Sequence, residues 1–258
     1  MSNPIARIHY VIEFKFVGLE ARLMLNDVEI ARCMPADRKI IQQKVNGWLI
    51  RGSNDLVLSA ALEDPAHPPP LVDLKCLVFR GPQGRQPEES EALARFAERE
   101  KTKFPAGSMQ QVWTTSFRAD PWYGPWRWES GPPIALDQTS AAAALRVLGS
   151  VVDALNRNNK QALLAIFRVM TEESARANGF DPAQIEAQLG DWCSVWSPVA
   201  AWTPVLDDYA LTVEGRGRLL RVERKDGKPV FSSDRRGNGS GPRDMRLAWL
   251  NEGWLIVR

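Results

Sequence analysis

The chain has 258 residues, of which 44% are hydrophobic and 25% are charged, and its formal net charge is +2. This composition is ordinary for a folded soluble protein with one large domain or two smaller ones. No apolar run approaches the length of about 20 residues that is needed to span a bilayer. Residues 1–7 lack the basic and apolar regions of a signal peptide. Cys33, Cys76 and Cys193 are too few and too far apart for a disulfide framework or a thiolate metal site. We therefore expect a cytoplasmic protein without a membrane contact, a cofactor or a metal.

Short strands separated by turns are predicted over residues 1–119. Their segments are rich in β-branched and aromatic residues, or alternate apolar with polar side chains. They are Ile8–Val17, Ala21–Leu25, Val28–Ile30, Gln43–Ile50, Leu56–Leu62, Val72–Phe79 and Gln110–Phe117. A helix is predicted from Pro87 to about Lys103, because proline suits the first turn and the flanking charges suit the helix dipole. The pattern indicates an antiparallel β-sandwich-like domain with one helix.

A change of composition at residues 120–136 marks the predicted domain boundary. The segment is rich in proline, glycine and tryptophan, which suits neither a helix interior nor a strand interior. We interpret it as a Trp- and Pro-rich linker that is packed down rather than floppy.

Residues 137–258 predict helices followed by strands. The helices run from Asp137 or Thr139 to about Arg157, from Lys160 to about Asn178, and from Asp181-Pro182 to about Trp196. The predicted strands are Tyr209–Glu214, Arg218–Arg224 and Val230–Ser232, with Asp226-Gly227 as a hairpin turn, and a last hairpin over Met245–Val257. This order gives an α+β domain, and the chain as a whole belongs to the α+β class.

The second half resembles the cystatin-like superfamily, which includes nuclear-transport-factor-2-like and SnoaL-like proteins. The resemblance rests on the long opening helix, Gln138–Arg157, on the helices after it, and on the Trp-containing strands of Met245–Val257. It implies a cone-shaped α+β domain, found in enzymes, small-ligand binders and protein-interaction modules. Enzymatic members usually place a His or an Asp–His pair in the cone, whereas this chain has no histidine after His67. The architecture is also similar in type to bacterial immunity proteins, which are cytoplasmic, non-enzymatic and often acidic where they bind a nuclease.

Charge is segregated along the second half. Between Glu172 and Glu214 the acidic residues face a single basic residue, Arg176, whereas basic residues dominate from Arg216 to Arg246. An acidic, Trp-rich surface is suited to a basic partner. The alternative is that the acids pair internally with the later arginines, as exposed pairs that contribute only about 0–1 kcal/mol each.

The candidate binding patch is the part of the acidic stretch that we expect to be exposed. Trp192 and Trp196 lie four residues apart on a predicted helix, and this spacing favours a place in the core. Trp202 follows a proline in a loop and is expected to be partly exposed. The predicted binding patch consists of four residues, Asp191, Trp202, Asp207 and Asp208.

No pattern in the sequence indicates a catalytic constellation. His9 is expected in the core or at its rim, His67 in an exposed proline-rich segment, and the glycine-rich Arg236–Pro242 segment as a connector between strands. Asp207 and Asp208 would form a coupled carboxylate pair for acid–base work only if they shared a proton, and adjacent side chains on a strand point to opposite faces and seldom do so. Asp at a strand entry is commonly a turn residue.

The leading hypothesis is non-enzymatic protein binding, in the form of an immunity protein that inhibits a secreted bacterial toxin or a basic nuclease domain. A second hypothesis is a small-molecule-binding or hydrolase/isomerase-like cone that uses Asp207 or Asp208. The near-zero net charge argues against a dedicated nucleic-acid-binding protein, and a contact through the Arg216–Arg246 strands is the third alternative.

Overall fold

The computed structural model describes residues 8–17, 19–34, 39–62, 73–82, 92–96, 110–194, 204–231, 242–250 and 253–258. The chain divides into two compact units, Met1–Pro125 (unit 1) and Trp126–Arg258 (unit 2). This division falls inside the segment 120–136, in which a linker is predicted. Among the described residues, no helix is both long enough and apolar enough to cross a bilayer.

The described residues of unit 1 form two antiparallel sheets of four strands each. In chain order the strands are β1 (Ile8–Val17), β2 (Glu20–Leu25), β3 (Val28–Cys33), β4 (Lys39–Lys44), β5 (Gly52–Ala61), β6 (Asp73–Pro82), β7 (Ala92–Phe96) and β8 (Gln110–Ala119). The strand orders are β4-β1-β6-β7 and β3-β2-β5-β8. Alternate residues are buried, for example Leu56, Leu58 and Ala60 on β5, so each sheet keeps one apolar face out of water.

The prediction of a helix from Pro87 to about Lys103 is wrong for residues 92–96, which are the part of this range that the structure describes. Residues Ala92–Phe96 form strand β7, which pairs antiparallel with β6. Burial alternates along β7, since Ala94 is buried between the exposed Leu93 and Arg95. Local helix propensity is overridden by pairing with a strand distant in the sequence. The rest of the predicted helix lies outside the described residues.

The strand predicted over Gln43–Ile50 is also different in the structure. β4 ends at Lys44, and a short 3-10 helix follows at Asn46–Trp48. The Asn46 side chain turns inward and its Oδ1 atom accepts a hydrogen bond of 2.8 Å from the Tyr10 backbone N–H. This buried bond satisfies a backbone donor of β1 at the point where β4 no longer pairs with it.

In the described part of unit 2, four α-helices are followed by one antiparallel sheet. The elements are α1 (Gln138–Asn156), α2 (Lys160–Ile166), α3 (Arg168–Asn178), α4 (Pro182–Ser194), β9 (Tyr209–Glu214), β10 (Leu219–Arg224), β11 (Asp244–Leu250) and β12 (Gly253–Ile256). The sheet order is β12-β11-β10-β9. With the sheets of unit 1, this composition places the chain in the α+β class.

The helices of unit 2 begin and end where local chemistry directs. The Asp137 carboxylate accepts a 2.8 Å hydrogen bond from the Ser140 backbone N–H and caps α1. Gly179 ends α3 in the left-handed region, with φ of 66°. The single helix predicted over Lys160–Asn178 is two helices, α2 and α3, which meet at Phe167. The Phe167 side chain is buried in the core of unit 2.

The hairpin predicted around Asp226-Gly227 does not form in the described structure. β10 is paired on one side with β9 and on the other with β11, so neither edge of β10 is open to Val230 and Phe231. These two side chains are instead buried in the core, between the helices and the sheet. The core is formed by α1 residues such as Leu148 and by sheet residues such as Leu220.

Candidate functional site

Part of the segregated charge is paired inside unit 2. The Glu214 carboxylate lies 3.2 Å from Nη1 of Arg221 and 3.1 Å from Nε of Arg246, and none of the three side chains is more than 7% exposed. Arg221 and Arg246 are cross-strand partners on β10 and β11. Glu214 therefore bridges two guanidinium groups that would otherwise repel each other across the sheet.

Two further carboxylates complete this arrangement. Asp244 lies 3.0 Å from Nη1 of Arg246 and 3.5 Å from Nε of Arg221, and Glu223 pairs with Nη2 of Arg221. We name Glu214, Arg221, Glu223, Asp244 and Arg246 the buried ion cluster. Burial raises the pKa of Glu214, and the nearby Arg246 and Arg221 oppose that increase. The cluster binds β9, β10 and β11 to one another and leaves little of its charge for a partner.

The acids at the start of the acidic stretch are paired as well. Glu173 is buried on α3, where its Oε1 atom accepts a 2.7 Å hydrogen bond from the Arg127 backbone N–H and its Oε2 atom lies 2.9 Å from Nη1 of Arg258. The Arg258 guanidinium stacks 4.7 Å from the centre of the Trp126 ring. Glu172 pairs at the surface with the Arg127 guanidinium. Internal pairing thus accounts for much of the segregation at Glu172, Glu173 and Glu214.

Asp207 and Asp208 lie side by side on an exposed turn. They belong to a short 3-10 helix, Leu206–Asp208, directly before β9, which begins at Tyr209 as the sequence predicts. Both carboxylates are exposed to solvent. Asp207 and Asp208 are therefore turn residues at the entry to the strand, where pairing of β9 with Arg224 of β10 starts.

Two apolar residues complete this surface. The side chains of Val205 and Leu206 are 53% and 41% exposed and directly precede the two carboxylates. We name the segment Val205–Asp208 the acidic turn. Val205 and Leu206 are not among the residues predicted for the binding patch, because an apolar pair just before a strand usually continues into the core. The Asp pair that follows, with Pro204 before it, is the signal that could have placed them in a turn.

The acidic turn is closed by an internal backbone hydrogen bond and is fixed to the rest of unit 2 at its C-terminal end. The Asp208 backbone N–H donates to the Val205 carbonyl at 3.0 Å, and the Asp208 carbonyl accepts from the Lys225 backbone N–H at 2.9 Å. The next side chain, Tyr209, is buried and its hydroxyl donates to the Val230 carbonyl at 3.0 Å. Burial raises the pKa of Tyr209 to about 12. These bonds hold the exposed side chains on a defined backbone, which lowers the entropy lost when a partner binds.

The other two candidate residues are not joined to this turn by the described structure. Asp191 is exposed near the end of α4. Trp202 lies outside the described residues, as do Trp196 and the side chain of Trp192. The structure therefore brings together Asp207 and Asp208 with Val205 and Leu206.

A cavity of about 300 Å³ is present in unit 2. Its lining residues are Arg127, Ser130, Gly131, Pro132, Arg168, Leu250 and Leu255. Asp207 and Asp208, which the cone-enzyme hypothesis would place in a pocket, lie outside this lining. The space between α1 and the sheet is filled by the buried side chains of the core.

Histidine and metal chemistry have little support in the described parts of the chain. His9 is buried, and its Nδ1 atom lies 3.1 Å from Nδ2 of Asn46, which is the environment of a core histidine. His67 and residues 236–241 of the glycine-rich segment lie outside the described residues. No group of three or more His, Cys, Asp or Glu side chains among those described is arranged to hold a metal ion.

Three comparisons with known proteins add no relative to this description. Compared with protein-family models, with curated proteins and with solved structures, the chain gave no match.

Proposed function

We propose that this chain is a non-enzymatic protein-binding protein, which binds a basic partner through the acidic turn Val205–Asp208. The observation that carries the proposal is the conjunction of two exposed apolar side chains, Val205 and Leu206, with two exposed carboxylates on a backbone-bonded turn. Each chemical class has a separate task in an interface. The carboxylates attract a cationic surface and speed the encounter, while the apolar side chains supply lasting contact area.

The size of the effect follows from the exposed area. Full burial of a Val or Leu side chain contributes about 1.5–3 kcal/mol, and roughly half of each side chain is already covered here. Covering the remainder at an interface is therefore worth about 1 kcal/mol for each residue. Neither residue alone accounts for tight binding, so we expect the turn to be one part of a larger contact, to which Asp191 and Trp202 are the further candidates.

The concrete form of the proposal is an immunity protein that occludes the active site of a secreted bacterial toxin, such as a basic nuclease domain. It rests on the similarity in type to bacterial immunity proteins and on the acidic character of the turn. The α+β order of unit 2 is also the order expected of the cystatin-like superfamily, whose members include interaction modules. The third hypothesis, nucleic-acid binding by the basic strands, is less favoured because Arg221 and Arg246 are buried and paired with acids.

The test is co-expression of the chain with the product of the adjacent gene. We expect that product to inhibit growth alone, to be neutralised by the chain, and to co-purify with it. The Asp207→Lys/Asp208→Lys double variant should bind more slowly, with a weaker dependence of the association rate on salt. Leu206→Ser should weaken binding by about ten-fold, which corresponds to about 1.4 kcal/mol.

Glu186→Lys is the matched control, since Glu186 is an exposed acid on α4 at a different place in unit 2. It should leave the affinity unchanged. The Asp191→Lys variant, measured separately, decides whether the end of α4 belongs to the same surface. Equal losses in Glu186→Lys and in the double variant would show a general charge effect and would refute the acidic turn as the site. An adjacent product that is neither toxic nor bound would refute the immunity function.

A further inference from the structure

The cavity in unit 2 combines cationic and apolar walls. Arg127 and Arg168 line it together with Ser130, while Pro132, Leu250 and Leu255 form its apolar part. Its volume of about 300 Å³ is at the lower end of the range of roughly 300–1,000 Å³ that ligand sites occupy. Its lining presents more polar than apolar surface, so it is suited to a ligand with a charged or polar group.

One wall of the cavity is held in place by backbone hydrogen bonds. The segment Arg127–Ser130 is a short 3-10 helix, and its first backbone N–H donates to the buried Glu173 carboxylate at 2.7 Å. At the other end, the Gly131 carbonyl accepts from Nε of Arg218 at 2.9 Å. Gly131 also lies so close to β11 that a Cβ atom would come within 2.9 Å of the Trp249 carbonyl oxygen. The wall is therefore formed before any ligand binds.

Two arginines carry the positive charge of the described lining. Among the described contacts, Glu172 pairs with the Arg127 guanidinium at a place where both side chains are about 40% exposed. Exposed pairs of this kind are weak, about 0–1 kcal/mol, so an anionic ligand can share or replace Glu172. Glu173 is already bonded to Arg258 and to the Arg127 backbone. Arg168 is the first residue of the eleven-residue helix α3.

We propose that this cavity binds a small organic oxyanion, a carboxylate or a phosphate monoester attached to one compact apolar group. The guanidinium groups of Arg127 and Arg168 would take the oxyanion, because their planar forks match both carboxylate and phosphate oxygens. Ser130 offers a hydroxyl beside them, and Leu250 and Leu255 cover the apolar part of the ligand. This site is separate from the acidic turn and needs a ligand of opposite charge.

The experiment is isothermal titration of the full chain with phenyl phosphate, benzoate, inorganic phosphate and phenol. We expect saturable binding of phenyl phosphate or benzoate with a dissociation constant of about 1 mM or tighter, and weaker binding of inorganic phosphate and of phenol. The relative affinities of phenyl phosphate and benzoate identify which oxyanion the site prefers.

Two variants and one control make the test specific. Arg127→Met keeps the backbone N–H that bonds to Glu173, so it removes the guanidinium while leaving the wall anchored. Arg168→Met removes the second guanidinium, and each should weaken binding by about ten-fold or more. Arg146→Met is the control, because Arg146 is an exposed arginine of α1 that does not line the cavity. It should leave the affinity unchanged.

Three results would overturn the proposal. The first is the absence of saturable binding of any of the four probes. The second is binding of inorganic phosphate as tight as that of phenyl phosphate, which would indicate an adventitious ion only. The third is an equal effect of Arg146→Met and the two cavity variants, with the folds of all three checked by hydrogen exchange.

Discussion

Replacement of Arg221 by Met is expected to destabilise unit 2 by about 3–5 kcal/mol at pH 7, the usual cost of removing one partner from a buried ion pair. Arg221 is 4% exposed and contacts Glu214 at 3.2 Å, Asp244 at 3.5 Å, and Glu223. Methionine preserves much of the aliphatic stem, so the change is chiefly the loss of the guanidinium. Glu214 then remains buried with Arg246 as its described ion-pair partner, at 3.1 Å.

The same variant should change how stability depends on pH. Burial raises the pKa of Glu214, and Arg221 is one of the two groups that lower it, so the pKa rises further when Arg221 is removed. A carboxyl whose folded pKa lies above its unfolded value stabilises the fold below the unfolded pKa of about 4.3. That contribution is lost as the pH rises through the folded pKa. The deficit of Arg221→Met relative to the natural chain should therefore become smaller as the pH falls from 7 toward 4.

The assay is hydrogen exchange on peptides from β10 and β11 in a series of urea concentrations, which reports on unit 2 separately from unit 1. The matched control is Arg224→Met on the same strand, because Arg224 pairs with Asp226 at 2.7 Å near the surface. It should cost only about 0–1 kcal/mol. The reasoning is refuted if both variants lose the same small amount, or if the deficit of Arg221→Met does not change with pH.

Two further predictions test the packing near the candidate sites. Gly131→Ala should lower the free energy of unfolding by about 1–3 kcal/mol, because its Cβ atom would meet the Trp249 carbonyl oxygen at 2.9 Å. Its control is Gly149→Ala on α1, where an added Cβ atom would meet no neighbouring element within 4 Å. This variant should raise the free energy of unfolding by about 0.5–1 kcal/mol, because alanine favours the helix. Equal effects in thermal unfolding would contradict the close approach at Gly131. Tyr209→Phe should cost about 1–3 kcal/mol, since the buried Val230 carbonyl loses its donor. In a spectrophotometric titration, this variant should also lack the tyrosine whose pKa is raised to about 12. Because the pKa is raised in the folded state, the contribution of Tyr209 to stability is present at neutral pH and is lost as the pH rises through the folded pKa.

The sequence predicts those elements whose signals are local. The start of α1, for which the sequence offers Asp137 or Thr139 as the cap, and the end of α3 at Gly179 follow from the preference of Asp and Thr for N-caps and of Gly for the left-handed helix end. β7 could not be predicted in this way, because Ala92–Phe96 has the composition of a helix and becomes a strand through pairing with β6. The same limit applies to the predicted hairpin partner of β10, whose place is taken by β11 from later in the chain.

The candidate site shows the same division between local and distant information. Asp207 and Asp208 are identifiable from their charge and from their position before a strand, but the exposure of Val205 and Leu206 depends on where the core ends. The partners of Glu214 are still less accessible to sequence reasoning. Arg221 lies seven residues away and Arg246 lies 32 residues away, and only the order of the strands brings both to one carboxylate.

This pairing changes the meaning of the charge segregation along the second half. Glu173 and Glu214 are buried and paired within unit 2, so they are not available to attract a partner. The two proposed sites are the acidic turn and the arginine-lined cavity. The two sites need ligands of opposite charge, and this makes their tests independent. Charge reversal at Asp207 and Asp208 should weaken binding of the basic protein partner and leave the affinity for phenyl phosphate unchanged. Arg127→Met should weaken binding of phenyl phosphate and leave the affinity for the protein partner unchanged. A loss of both activities in either variant would instead indicate that unit 2 has lost its fold.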